Sequence, residues 1–309
     1  MNGFCDICPR RCHAARPFLP GDSGQYGVCR APGKAVVSRA GLHFWEEPVI
    51  SGERGSGTVF FAGCNLHCVY CQNHCISQDC AGTLLDTGEL KELYRRLIGR
   101  GAHNINLVTP GHFALPVAAS LDEKLSVPVV YNSNGYELPE TLQLFENKVD
   151  IYLPDLKYAD RDIAARYSHA PDYFDVAVAA IREMVRQTGK FVIGPDGMMK
   201  KGVIIRHLIL PGQLENTLKV IEFVAGNFQP GEVIFSLMRQ YLPCGEVSSE
   251  KYPELNRRIS DFEYEVAESA LFDSGIEDGF VQDAGSAVKD FIPDFQNPEN
   301  DPNSVPLLI

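Results

Sequence analysis

The sequence predicts an α/β fold built on a parallel sheet, and three observations carry the prediction. Short runs rich in β-branched and aromatic residues recur along the chain. They alternate with stretches in which apolar residues return every three or four positions, and a polar residue closes each run. Strands that alternate with helices in this way are joined by crossovers and lie parallel. The alternation alone fits either an open barrel or a doubly wound sheet. A chain of 309 residues with 45% hydrophobic residues is long enough to bury a sizeable core.

The first strand is expected at 58–62, Thr-Val-Phe-Phe-Ala, after a glycine-rich turn. Just before that turn stand Trp45, the single tryptophan, and Glu46 and Glu47, which read as a solvated acidic pair. Leu90, Leu93, Tyr94, Leu97 and Ile98 recur at helical spacing, with Asp86 or Thr87 as the N-cap and Gly99 and Gly101 beyond the end. Further strands are expected at 104–109, 127–132, 148–155, 202–210 and 232–237. Helices are expected at 172–187, stopping at Gly189, and at 214–225, stopping at Gly226. Residues 286–309 carry Pro293, Pro298, Pro302 and Pro306 among Asp and Asn, and read as an extended or disordered tail. The expected organisation is a cysteine-rich segment at 1–35, an α/β domain at 36–285 and the tail at 286–309.

The balance of 28 basic and 40 acidic residues, a formal charge of −12, argues against a nucleic-acid partner bound through a general basic surface. No apolar run approaches the ~18 residues of a membrane span. Ten cysteines are many for a domain of this size, and the chain opens directly on a metal-like motif instead of a secretory leader. The expected location is cytoplasmic.

Directly after the first strand, residues 63–73 read Gly-Cys-Asn-Leu-His-Cys-Val-Tyr-Cys-Gln-Asn. Cys64, Cys68 and Cys71 form a C-x3-C-x2-C pattern. A [4Fe–4S] cluster takes four ligands, so three thiolates leave one iron open to something other than protein. Zinc would need a fourth ligand from His67, His74 or Cys75, and spacing alone leaves that reading open. A second group, Cys5, Cys8, Cys12 and Cys29, lies among Pro9, Pro17, Pro20, Gly21, Gly24 and Gly27. It reads as a closed zinc site, an auxiliary iron–sulfur cluster, or reduced thiols without a metal. A metal here would fold a segment with too little apolar content to fold alone.

The C-x3-C-x2-C pattern, with Gly63 before the first cysteine and Tyr70 before the last, resembles the signature of radical S-adenosylmethionine (SAM) enzymes. The flanking Cys-Val-Tyr-Cys-Gln-Asn at 68–73 is similar, more narrowly, to the pyruvate-formate-lyase activating enzymes and the uncharacterised group like them. In that group a similar Glu-Glu-Pro precedes the cluster strand, and the resemblance gives Glu46 and Glu47 a second reading, a role near the site. The resemblance implies a partial (β/α)6 barrel with a small cysteine-rich amino-terminal metal-binding segment. It implies a [4Fe–4S] cluster whose open iron is chelated by SAM, and reductive cleavage of SAM to a 5′-deoxyadenosyl radical that abstracts a hydrogen atom. It also implies an electron donor such as flavodoxin or ferredoxin and a protein or peptide substrate, a glycine of a glycyl-radical enzyme included.

Reacting groups in parallel barrels sit at the carboxyl ends of strands. Ser133-Asn134-Gly135 resembles the Thr-Asn-Gly of the activating enzymes, Asp155-Leu156-Lys157 their Asp-Leu-Lys, and Arg206 with Pro211-Gly212 their Arg before Pro-Gly. By that resemblance Ser133, Asn134, Asp155, Lys157 and Arg206 hold SAM or the substrate backbone, and Tyr70 and His207 join them as cofactor-binding candidates. Asp155 and Lys157 read equally as a structural ion pair, and His207 as a core histidine. Many radical SAM enzymes end the second strand in Gly-Gly-Glu. This chain has Val108-Thr109-Pro110, so Thr109 and backbone carbonyls are the candidates to receive the SAM amino group. The extra cysteines also precede the SAM motif, whereas in activators with additional clusters they follow it. Cys244, after the sixth strand, is a candidate hydrogen-atom donor or ligand beside its reading as a free thiol; Cys75 and Cys80 have no assignment. The competing readings are a non-enzymatic zinc or iron–sulfur electron-transfer protein, and a radical SAM modifier of some other substrate.

Overall fold

Parallel strands that are apolar on both faces have to be covered twice, by helices outside and by packed side chains within. That requirement organises this molecule, seen in a computed structural model that describes residues 5–16, 26–282, 293–295 and 297–307. In chain order, β1 (Ala35–His43), α1 (Pro48–Ser51) and β2 (Ser56–Phe61) lead to the cysteine loop. After it come α2 (His74–Ser77), β3 (Thr83–Leu85), α3 (Thr87–Gly99), β4 (Ile105–Val108), α4 (Ala114–Ser120), β5 (Val129–Ser133) and α5 (Pro139–Leu142). The chain continues through β6 (Ile151–Pro154), α6 (Arg161–Ser168), α7 (Tyr173–Thr188), β7 (Val192–Ile193), β8 (Met199–Leu208), α8 (Leu214–Asn227), β9 (Val233–Met238), α9 (Asp261–Asp273) and β10 (Gly279–Val281).

The strands pair in the order β10-β9-β8-β6-β5-β4-β2-β1-β3, parallel from β2 to β10 and antiparallel where β1 meets β2 and β3. This is the expected partial (β/α)6 barrel, with β10 continuing the parallel series. One row of the register, Val59, Leu107, Tyr131, Tyr152, Val203 and Val233, faces the helices and belongs to the main core. The opposite face turns inward. There Val130, Ile151, Leu153, Ile204 and Ile234 pack on Met199 and on Ile50 of α1, which closes one end of the barrel. Farther along the same face, toward the strand ends, the inward residues become polar: Asn132, Asp155, Arg206 and Ser236.

Local chemistry explains the helix boundaries. Asp86 caps α3 by accepting from the Gly88 and Glu89 amides, while Glu89 answers the Asp86 amide in a capping box. Gly189, in a positive-φ conformation, ends α7. Helix α8 runs through Gly226 to Asn227, one residue past the expected stop. Helix α9 lay outside the expected elements although its Ser260-x-x-Glu263 capping box is a legible signal. No helix among the described residues is long and apolar enough to cross a membrane.

The described part of the tail lies along β1. The Val305 amide donates to Ala40 O at 2.8 Å, the Leu42 amide to Asn303 O at 3.0 Å, and Ser304 bridges Gly41. A side chain at Gly41 would collide with Asn303 O at 2.6 Å, so glycine is what lets the two backbones meet. Arg39, its side chain 5% exposed, donates to Asp294 O and pairs with Asp301, while Phe295 sets its ring edge-on to Phe60. Replacing Arg39 with alanine removes a buried cation from its carboxylate and carbonyl, a loss of about 1–3 kcal/mol. The expected outcome is a lower denaturation midpoint and faster proteolysis within 293–307; equal cleavage rates would show that the guanidinium does not hold the tail.

Candidate active site

The cysteine loop leaves β2 through Gly63, whose φ of +76° no other residue takes comfortably. Backbone bonds then tie the loop to its surroundings. The Gly63 amide donates to Ile76 O, the Val69 amide to Tyr167 O at 2.9 Å and the Glu246 amide to Val69 O at 2.7 Å. Each sulfur receives a donor. Cys64 Sγ accepts from the Leu66 amide at 3.3 Å and Asn134 Nδ2 at 3.4 Å, Cys68 Sγ from Ser168 Oγ at 3.0 Å, and Cys71 Sγ from Ser77 Oγ at 3.5 Å. Burial pushes the Cys71 thiol up to about 12 and also raises Cys68, against the pull of the Lys157 ammonium. Burial thus favours the protonated thiol at Cys71, a proton that a bound metal would replace.

The three cysteines line one cavity together with Tyr70, Thr109, Ser133, Asn134, Asp155, Lys157, Arg206 and Cys244. His67, His74 and Cys75, the candidate fourth ligands, do not line it. Among the described residues, no three Cys, His, Asp or Glu side chains are gathered into a group that could hold a metal ion.

Across the cavity from the loop lies a network centred on Arg206. Its Nε donates to Asp155 Oδ1 at 3.0 Å, Nη1 to Glu46 Oε2 at 3.0 Å and Nη2 to Asn132 Oδ1 at 2.7 Å, while Lys157 Nζ donates to Asp155 Oδ2 at 2.6 Å. Burial alone would raise Asp155, but Lys157 and Arg206 outweigh it and hold the carboxyl below the usual range. The carboxylates of Asp155 and Glu46 likewise outweigh burial at Arg206 and keep it charged.

Glu46 and Glu47 are not a solvated pair. Glu46 Oε1 also accepts from Asn106 Nδ2 and Asn132 Nδ2, both at 3.1 Å. Glu47 is 8% exposed, and burial raises its pKa against the pull of Arg206. The physical reason is α1: its Ile50 enters the barrel and carries the two preceding glutamates inward with it.

Tyr70 shares a bond with Tyr158 at 2.7 Å, Tyr158 one with Ser168 at 2.6 Å, and Ser168 donates to Cys68, so a chain of hydroxyls runs from the aromatic ring to a ligand sulfur. Ser133 uses its hydroxyl locally, donating to Glu137 Oε1 and accepting from the Gly135 amide. Thr109 sits at φ +55°, a strained position for a β-branched residue, with its amide donated to Asn132 O. Cys244 Sγ lies 3.1 Å from Tyr70 O, its thiol pushed up to about 11 by burial.

His207 is the correction among the predicted cofactor residues. It follows inward-facing Arg206, so the pleat turns it toward the helices, where it is fully buried between Leu156 O at 2.7 Å and Thr217 Oγ1 at 2.9 Å. Cys5, Cys8, Cys12 and Cys29 do not line the cavity either; of these, Cys29 meets the loop at Gly63, where a Cβ would stand 2.5 Å from its carbonyl oxygen. Glu46 takes the second of its two readings, and the residues of this network that the sequence reading missed are Asn106 and Asn132. Two amides inside otherwise apolar strands were a legible signal.

The family model described as Radical SAM superfamily matches residues 58–224. The uncharacterized protein MJ0674 of Methanocaldococcus jannaschii is 30% identical over 277 residues, covering 86% of this chain and 73% of that one. Among solved structures, a point mutant of spore photoproduct lyase superposes with a TM-score of 0.50 at 13% identity, over 75% of this chain and 78% of that one. Methylornithine synthase (PylB) does so with 0.48 at 17% identity, over 71% of this chain and 61% of that one, so this chain spans less than two thirds of its length.

Burial, opposed by the bond to Leu156 O, lowers His207 from 6.5 to about 4. The unfolded chain then binds more protons than the folded one between those values. The stabilisation is fully present above pH 6.5 and is lost as the pH falls toward 4, by about 2–4 kcal/mol. In urea denaturation at pH 4.5 and 7.5, His207→Gln should lose less stability on acidification than the parent. His43 and His112, also lowered, leave a residual slope. An unchanged difference would place the acid sensitivity elsewhere.

Proposed function

The chain belongs to the radical SAM superfamily, and from that premise we propose that it is an iron–sulfur enzyme that cleaves SAM reductively and abstracts a hydrogen atom from a protein or peptide substrate. Membership brings a [4Fe–4S] cluster and SAM. The observation that carries the reading is one cavity with three cysteines on one wall and a charged, fully paired network on the other. The donor set suits the cluster: three thiols, each already facing an N–H or O–H donor of the kind that stabilises bound sulfur.

In this reading Cys64, Cys68 and Cys71 hold the cluster and leave one iron to SAM. A reduced cluster held there would supply one electron to the sulfonium of SAM, whose C5′–S bond would break to give methionine and a 5′-deoxyadenosyl radical. The chain's own groups do the rest. Lys157 gives one of its three N–H bonds to Asp155 and keeps two for a carboxylate. Asp155, held ionised, has lone pairs left for ribose hydroxyls, and Asn134 orients one cysteine sulfur while bonding Asn65 Oδ1 at 2.8 Å. Thr109 and the carbonyls at the end of β4 receive the amino group. Tyr70, Phe60 and Met238 give the cavity apolar sides, and Trp45 and Pro293 line it as well. Flavodoxin or ferredoxin fits the role of electron donor. The flanks at 68–73 support activation of a glycyl-radical enzyme as the specific reaction, which a glycyl signal in electron paramagnetic resonance (EPR) on a candidate partner tests.

Anaerobic reconstitution with iron and sulfide, followed by reduction with SAM present, should release 5′-deoxyadenosine. Cys68→Ala should abolish it. Asp155→Asn, which weakens charge-assisted bonds worth about 1.5–3 kcal/mol, should raise the KM for SAM roughly 10- to 100-fold in protein that still melts cooperatively. A loaded cluster with no deoxyadenosine formed would sink the reading.

A further inference from the structure

We propose that Ser168, at the carboxyl end of α6, is a positioning residue that sets the reduction potential of the cluster on Cys68, as the last link of a hydroxyl chain aimed at that sulfur. The inference rests on the reading of Cys64, Cys68 and Cys71 as cluster ligands. Ser168 Oγ donates to Cys68 Sγ at 3.0 Å, the shortest of the four bonds that reach the three sulfurs, against 3.3 and 3.4 Å at Cys64 and 3.5 Å at Cys71. Behind Ser168 stands the Tyr158 hydroxyl at 2.6 Å, and behind that the Tyr70 hydroxyl at 2.7 Å. All three residues are buried, Ser168 and Tyr158 completely.

Counting protons gives the chain a direction. Each hydroxyl has one proton to donate and lone pairs to accept with. A thiolate bound to a metal has no proton, so it accepts from Ser168. The Ser168 proton is then committed, and its bond with Tyr158 has to be donated by the tyrosine. The Tyr158 proton is committed in turn, so Tyr70 donates to Tyr158. Three O–H dipoles therefore point the same way, toward the sulfur, and each polarises the next.

The end of α6 is fixed from two sides. Ser168 is the last residue of the helix, and His169 follows at φ +51°, the left-handed position that turns the chain away. Arg10 donates to the carbonyls of Ser168 at 3.0 Å and His169 at 2.5 Å, and also to Asn65 O and Leu66 O in the cysteine loop. The ring of Tyr136 lies 5.2 Å from the same guanidinium. From the loop itself, the Val69 amide donates to Tyr167 O at 2.9 Å, so the serine and the cysteine are held in one frame. Tyr158 is placed by packing, its ring edge-on to Tyr173 at 5.2 Å.

Reduction adds one negative charge to the cluster and its ligands. An O–H dipole directed at a ligand sulfur gains more from the more negative state, and burial strengthens that gain, so the bond favours the reduced form and raises the potential. Ser77 offers a comparison within the same loop. Its Oγ stands 3.5 Å from both Cys71 Sγ and His74 O, so its one proton is shared between them.

The test is an EPR-monitored redox titration of the reconstituted full chain, following the signal that Cys68→Ala lacks. In Ser168→Ala, which loses one oxygen and adds no volume, the ratio of reduced to oxidised cluster at a fixed potential should fall roughly three- to tenfold, tenfold being 59 mV for one electron. Tyr158→Phe leaves the serine in place and removes the donor behind it, and should shift the ratio the same way by less. Ser77→Ala should also shift it less than Ser168→Ala. A parent-like potential in Ser168→Ala, or a shift no larger than that of Ser77→Ala, overturns the proposal while the cluster and SAM cleavage stand. Should Ser168→Ala load no iron, Tyr158→Phe decides, and a parent-like potential there overturns it. A parent that forms no cluster on Cys68 overturns the proposal together with the reading on which it rests.

Discussion

The buried guanidinium of Arg206 is the interaction on which the rest of the site depends. A charge taken out of water must be paired and hydrogen-bonded or it does not stay buried. Arg206 meets that demand by drawing Glu46 from before the first parallel strand, Asn132 from β5 and Asp155 from β6 to one point. Once Asp155 is placed, Lys157 follows, and the carboxylate remains ionised because two cations face it. The inner end of the barrel is thus a set of charges that satisfy each other while keeping free N–H bonds and lone pairs for a ligand. Pre-organised polarity of this kind is what a zwitterionic cofactor needs from its binding site.

The opposite wall is controlled by backbone contact. The cysteine loop buries Leu66, Val69 and Tyr70 in the main core, and its shape is fixed further by amides donated to Tyr167 and Ile76 and by the close approach of Gly245, where a Cβ would stand 2.6 Å from Val69 O. Helix α6 contributes twice, through Tyr167 O to the loop and through Ser168 Oγ to Cys68. Arg10 then covers the carbonyls that the loop leaves open. Each wall is held by elements far apart in sequence, which makes the cavity a property of the whole barrel.

That division also sets what the sequence can reveal. The parallel strands and the capped helices are legible because their determinants are local: period, N-cap and closing glycine. The cysteine triad is legible because ligand spacing is local too. Asp155, Lys157 and Arg206 are legible as strand-end residues, since strand ends in parallel barrels face the site. The inward turn of Glu46 is not, because it depends on Ile50 entering the barrel four residues later. The side taken by His207 turns on the pleat: one residue of register separates the cavity from the helices, and the sequence does not show which of Arg206 and His207 points in. Strand β1 and the tail that lies on it hide for a third reason. Their pairing joins residues more than 250 positions apart, through Gly41 and Arg39, and neither residue signals its partner.

The two cysteine groups depend on the fold in different ways. Around Cys64, Cys68 and Cys71 the loop is tied by backbone bonds at Gly63, Val69 and Cys71, and burial raises the thiols of Cys68 and Cys71, so loading a metal there would have to release their protons. The amino-terminal segment has little apolar surface to bury. It leans on the barrel through Arg10, Arg16 and the bond from Thr141 Oγ1 to Ile7 O at 2.6 Å, so its attachment is polar and its interior is sulfur. Burying the thiols of Cys8 and Cys29 and ordering the chain both oppose folding, so these polar contacts with the barrel are what hold the segment in place. Since Arg10 grips the carbonyls of Asn65 and Leu66, any loosening of that segment is transmitted to the residues that position Cys64. The order of the first cysteine group is therefore a condition on the geometry of the second.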